Sequence, residues 1–173
     1  MSDKSRIEWT DATWNPVTGC TQVSPGCDHC YASTFAERFR RTPGHYFEHG
    51  FDVTLRPEKL DQPLRWKKPR KVFVNSMSDL FHTDVPDKYI AQVFAVMARA
   101  EQHTFQLLTK RHGRMKALLS SSQFREALRC ELGWPGIAEW PLPNVWLGVS
   151  VEDQKRADLR VPALLETPAV VRF

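Results

Sequence analysis

The sequence predicts an α/β fold of parallel βα units, in one domain spanning residues 1–173. Three observations carry this. Short apolar runs rich in β-branched and aromatic residues recur along the chain. Segments with helical periodicity separate them, and a loop dense in Gly, Pro and Cys follows the first run. A chain of 173 residues with 42% hydrophobic content can bury one ordinary core.

Residues 12–18 read as a short first strand leading into the cysteine loop. Tyr31 to Arg41 reads as a helix, with Phe35 and Phe39 at i, i+4 spacing and arginines at its end. Residues 42–70, which contain Pro43, Gly44, Gly50, Pro57, Pro63 and Pro69, read as irregular. Val72–Ser76 forms the second strand. Pro86 then opens an amphipathic helix with Ile90, Val93, Phe94, Met97 and Ala98 on one face, and Thr83 or Asp84 as its cap. Phe105–Thr109 is the third strand, followed by helical segments at 111–121 and 122–130. A Trp- and Pro-rich loop runs from Gly133 to Pro143. Val145–Val151 is the fourth strand, and a helix with Leu159, Ala163 and Leu164 leads to a fifth at Ala169–Phe173.

Right-handed crossovers place the loops after parallel strands on one edge, where such folds bind ligands. The polar residues just past each strand are therefore the site candidates. They are Asn75, Ser76, Ser78 and Asp79, then Thr109, Lys110 and Arg111, then Ser150, Glu152 and Asp153. Helix capping accounts for Ser78, Asp79, Ser150 and Glu152 without any ligand.

The formal net charge is +4 and the pI about 9.0, a mild basic excess that identifies no partner by itself. The amino terminus is polar and charged, without the apolar core of a signal peptide. No apolar run approaches the roughly 18 residues of a membrane span. A cytoplasmic protein with no membrane partner is expected, and in that compartment clustered thiols hold metal or do chemistry more often than they form disulfides.

Of the four cysteines, Cys20, Cys27 and Cys30 share one short loop with the spacing C-x6-C-x2-C. Ser24-Pro25-Gly26 supplies a turn between the first two. Three thiolates on a four-iron cluster leave one iron open for chemistry. Zinc is the alternative, and it needs a fourth ligand brought from a distance by Cys130, His45, His49, His82 or His112. His29, between two of the cysteines, is badly placed to be that ligand.

The run Gly26-Cys27-Asp28-His29-Cys30-Tyr31-Ala32, with Gly19-Cys20 before it, resembles the cluster loop of the radical S-adenosylmethionine (SAM) superfamily. Residues 7–20 (IEWTDATWNPVTGC) and 72–81 (VFVNSMSDLF) resemble a phage and bacterial three-cysteine family within it, one with no assigned reaction. The resemblance implies an incomplete parallel (β/α) barrel of the radical SAM type with five strands present, since the chain stops in the fifth strand where relatives continue. It implies a 4Fe–4S cluster on Cys20, Cys27 and Cys30, with SAM on the open iron. Reduction by an external electron donor would then cleave SAM and abstract hydrogen from an unidentified substrate. The Asn75, Ser76, Ser78 and Asp79 loop would meet the SAM amino group, Lys110 or Arg111 its carboxylate, and Ser150 and Glu152 its ribose and carboxylate. The commonest superfamily spacing is C-x3-C-x2-C, and His29 stands where an aromatic residue usually precedes the last cysteine.

Two other functions fit the residues. One is a zinc-stabilised nucleic-acid-binding module, using Arg65-Trp66-Lys67-Lys68-Pro69-Arg70-Lys71 on phosphates with Trp66 stacked on a base. The other is an inactive, truncated relative. Trp134, Trp140 and Trp146 read as packing residues, and Cys130 as a buried structural thiol.

Overall fold

Parallel pairing joins five strands of the computed structural model, which describes residues 5, 7–133 and 139–173. They are β1 (Ala12–Trp14), β4 (Lys71–Val74), β5 (Thr104–Thr109), β6 (Val145–Val149) and β7 (Val171–Arg172). Their spatial order β1-β4-β5-β6-β7 follows the chain without reversal. The sheet is open, with β1 and β7 as its two edges. The expected α/β class is therefore present. The expected first strand over 12–18 is split in two, because Pro16 cannot donate to a ladder. Val17–Thr18 (β2) pairs instead, antiparallel, with Thr54–Leu55 (β3) from the stretch read as irregular.

The helices are α1 (Tyr31–Glu37), α2 (Asp87–Arg99), α3 (His112–Ser120), α4 (Ser122–Leu132) and α5 (Gln154–Leu165). With sequential strand order, right-handed crossovers put the connecting helices on one face of the sheet. Alternation along the strands agrees: Ala12, Trp14, Val72, Val74, Phe105, Leu107, Val145 and Leu147 are fully buried. They form one core with Ile90, Val93, Phe94 and Met97 of α2 and Phe124 and Leu128 of α4. α1 is shorter than expected, ending at Glu37 rather than Arg41. No side chain caps α2; its N-cap is Pro86, and Asp84 instead donates its N–H to His82 Nδ1 at 3.1 Å.

The register Phe73↔Gln106↔Trp146 puts these residues on the opposite face. There Trp9 meets Phe73 at 4.8 Å and Phe173 at 6.4 Å between ring centroids. Phe173 lies against Gly148, where an added Cβ would come within 2.8 Å of its ring. Trp140 packs between Phe94 and Phe124, each at 6.0 Å, and Trp146 is half-buried. Trp134 lies outside the described residues.

Cys130 is exposed, contrary to expectation. α4 buries Phe124 and Leu128, and a residue two positions past Leu128 turns about 200° away from that face. No helix among the described residues is long and apolar enough to cross a membrane.

His82 and His103 are each only 1% exposed. Burial, the larger cause for each, pushes both imidazoles below their ordinary value; Arg111 adds to this for His82 and Arg70 for His103. The unfolded chain takes up these protons near pH ~6.5, before the folded one does. The stability they contribute is complete above that pH and is lost as pH falls through the depressed folded values. Thermal melts should show a Tm that declines as pH falls below ~6.5, and a decline that shrinks in a His82→Gln/His103→Gln variant. A Tm indifferent to pH there would contradict this.

Candidate metal and cofactor site

The cysteine loop is bonded to the carboxyl edge of the sheet before its first thiol. Gly19 forms a parallel bridge with Ser78 just past β4, and its N–H donates to the Met77 carbonyl at 2.9 Å. The Ser78 hydroxyl donates to the Val17 carbonyl at 2.8 Å. The Cys20 N–H donates to the Phe51 carbonyl at 3.1 Å. Gly19 has φ +85°, and an added Cβ would stand 2.1 Å from the Asp52 carbonyl oxygen. Only glycine fits both that backbone and that approach.

Pro25–Cys27 makes a single 3-10 turn, as the Ser-Pro-Gly signal implies, with the Cys27 N–H donating to Ser24 O at 2.9 Å. Cys30 is the N-cap of α1, and its carbonyl accepts from Thr34 N–H at 3.0 Å. The three thiols are free and line one cavity of about 460 Å³. Among the described residues, no three His, Cys, Asp or Glu side chains stand close enough to hold a single metal ion.

Asn75, Ser76, Ser78, Asp79, Lys110 and Ser150 line the same cavity, so most of the predicted residues converge. Their polar atoms differ in what they already bind. The Asp79 carboxylate accepts from the Thr109 hydroxyl at 2.8 and 2.9 Å, from Lys110 N–H at 3.1 Å and from Phe81 N–H at 3.0 Å. It fastens the loop after β4 to the end of β5. Ser76 pairs its hydroxyl with Asn15, and its carbonyl accepts from the Tyr31 hydroxyl at 2.6 Å. Ser78 is committed to Val17.

Asn75 is different. It is 3% exposed, holds φ +62°, and neither atom of its carboxamide has a hydrogen-bond partner. A buried, unpaired amide is costly, while the left-handed backbone is one that asparagine tolerates better than other non-glycine residues. The unpaired amide sits in the wall that carries the thiols. The Lys110 ammonium and the Ser150 hydroxyl likewise have no partner among the described residues.

A family model described as "Protein of unknown function (DUF5131)" matches residues 4–173. The chain belongs to the DUF5131 family. No curated protein and no solved structure matches it.

Five expected placements need correction in this DUF5131 chain. Glu152 is not on the cavity wall: its carboxylate bonds Arg160 at 2.7 Å and packs against Gly26, where an added Cβ would come within 2.9 Å of Glu152 Cδ. It braces the cysteine turn from behind. The cap of the following helix is Asp153, which accepts from Arg156 N–H at 2.8 Å, rather than Ser150 or Glu152. Trp66 is 8% exposed, and the Arg70 guanidinium lies over its ring at 4.9 Å from the centroid, so it has no open face for a base. The run Arg65–Lys71 leads into the amino end of β4, the edge opposite the cysteines, and Arg65 is paired with Asp61 at 2.8 Å. Arg111 does not lie along the cavity wall; its Nη2 donates to the Thr21 carbonyl at 3.1 Å and hydroxyl at 2.9 Å.

Burial, aided by the Asp79 charge, pushes the Cys20 thiol up, and Arg111 opposes this. His29 is exposed and lies off the cavity wall.

Gly19→Ala should cost about 3 kcal/mol in urea denaturation, because it adds left-handed strain and a backbone clash at once. A loss under about 0.5 kcal/mol would mean that the loop is not held at Gly19.

Proposed function

We propose that this chain is an iron–sulfur enzyme of the radical SAM type. Cys20, Cys27 and Cys30 hold a 4Fe–4S cluster, SAM occupies the cavity beside them, and the parallel sheet is an incomplete (β/α) barrel of that superfamily. The observation that carries this reading is one wall bearing three free thiols and the unpartnered carboxamide of Asn75. The donor set suits the group: thiolates are the usual ligands of such clusters, and a cluster spreads its ligands over several irons. Sequential strand order with helices on one face is what a barrel wall requires.

A cluster held by Cys20, Cys27 and Cys30 would supply one-electron reduction of SAM, with the electron coming from an external donor. The chain's own residues bind and orient. Asn75 offers a donor and an acceptor to the amino-acid end of SAM, and Lys110 a cation to its carboxylate. Ser150 offers a hydroxyl across the cavity. Ile7, Trp9, Val23, Ala32, Phe73 and Leu108 supply apolar lining to the same cavity.

The test is anaerobic reconstitution with iron and sulfide, reduction, and measurement of 5′-deoxyadenosine and methionine formed from SAM. Equal amounts of both are expected, and none from a Cys20→Ala/Cys27→Ala/Cys30→Ala variant. No cleavage by a fully loaded protein would reject the enzyme and favour an inactive relative.

Asn75→Gly keeps the left-handed backbone and removes only the carboxamide. SAM affinity in equilibrium dialysis should fall about tenfold, the worth of one good hydrogen bond. Unchanged affinity would remove Asn75 from the site.

A further inference from the structure

Arg111 stands just past β5 and is tied into the edge of the site at both ends. Its N–H donates to Thr109 Oγ1 at 2.8 Å, and that hydroxyl donates to Asp79. Its Nη2 donates to both oxygens of Thr21 and lies 3.9 Å from Cys20 Sγ. From the other side His82 Nε2 meets Thr21 Oγ1 at 2.8 Å. Because His82 Nδ1 accepts the Asp84 N–H, the neutral ring carries its proton on Nε2 and donates it to Thr21. Thr21 thus receives two donors, and the guanidinium is fixed beside one thiol. Arg111 Nε is buried without a partner, and no carboxylate among the described residues forms an ion pair with this guanidinium. Neither Cys27 nor Cys30 has a comparable cation on its sulfur among the described residues.

We propose that Arg111 is a positioning residue that sets the charge at the Cys20 corner of the metal centre and thereby raises its reduction potential. The proposal rests on the iron–sulfur reading above. Cluster potentials follow net charge and hydrogen bonding at the sulfurs. The single electron taken from an external donor adds one negative charge to the cluster. A guanidinium held 3.9 Å from the Cys20 sulfur offsets that charge at this corner, where the buried carboxylate of Asp79 opposes it and the Lys110 ammonium on the same cavity wall adds to it. Thr21 and His82 hold the guanidinium in place and so act through it.

The experiment is a potentiometric titration, followed by electron paramagnetic resonance, of the anaerobically reconstituted full chain and its Arg111→Gln, Arg111→Lys and Thr21→Val variants. Iron content and circular dichroism are measured on each. At a fixed potential the reduced-to-oxidised ratio should fall about tenfold in Arg111→Gln, or ~59 mV for one electron. Arg111→Lys should recover part of the shift, and Thr21→Val should shift the same way by less. If Arg111→Gln does not fold, the Thr21→Val shift decides. Midpoints independent of residues 111 and 21 overturn the proposal, as does Arg111→Lys falling as far as Arg111→Gln. A wild-type chain that takes up no iron overturns this proposal and the iron–sulfur reading together; a loaded cluster indifferent to Arg111 overturns this one alone.

Discussion

The site depends on one constraint: the cysteine loop must leave β2 alongside the segment that follows β4. The Gly19–Ser78 bridge enforces it, and glycine is required because Asp52 crosses where a side chain would start. From that anchor the chain has only a short path to each thiol. A 3-10 turn carries Cys27, and Cys30 caps the amino end of α1. Glu152 closes the arrangement from the far side, since its Arg160-held carboxylate rests on Gly26. Strand ends that lie far apart in sequence thus act on a single loop.

The polar residues of this edge divide by what they already bind. Asp79, Ser76 and Ser78 are consumed in joining neighbouring strand ends, a structural task that suits buried groups with full hydrogen-bond complements. Asn75 keeps two unmet polar atoms, buried in the same wall. Folding alone gives no return for that cost, whereas a ligand carrying both a donor and an acceptor does. The division separates residues that build the cavity from those left over to use it.

Much of the fold was legible because buried parallel strands read as apolar β-branched runs. Val72–Ser76, Phe105–Thr109 and Val145–Val151 fall within two residues of β4, β5 and β6. The β2–β3 pair was not legible: strands of two residues carry no periodicity, and 42–70 shows only its turn residues. In the site, position past a strand end located Asn75, Lys110 and Ser150 but could not tell a free side chain from a committed one. Glu152 turned to Arg160, two turns into the helix that follows it. Arg111 was a candidate for the cavity, yet its orientation depends on Thr21 and His82, which no local pattern connects to it. Trp66 looked like a stacking platform within a basic run, but it is buried in the core and the Arg70 guanidinium covers its ring.

The central claim is that Cys20, Cys27 and Cys30 jointly hold an iron–sulfur cluster. The most direct measurement is the visible spectrum and the iron, sulfide and zinc content of protein purified without oxygen. The account predicts a brown protein with a broad band near ~400 nm and about four irons and four sulfides per chain. A colourless protein with one tightly bound zinc, or one that takes up neither metal after anaerobic reconstitution, would contradict it.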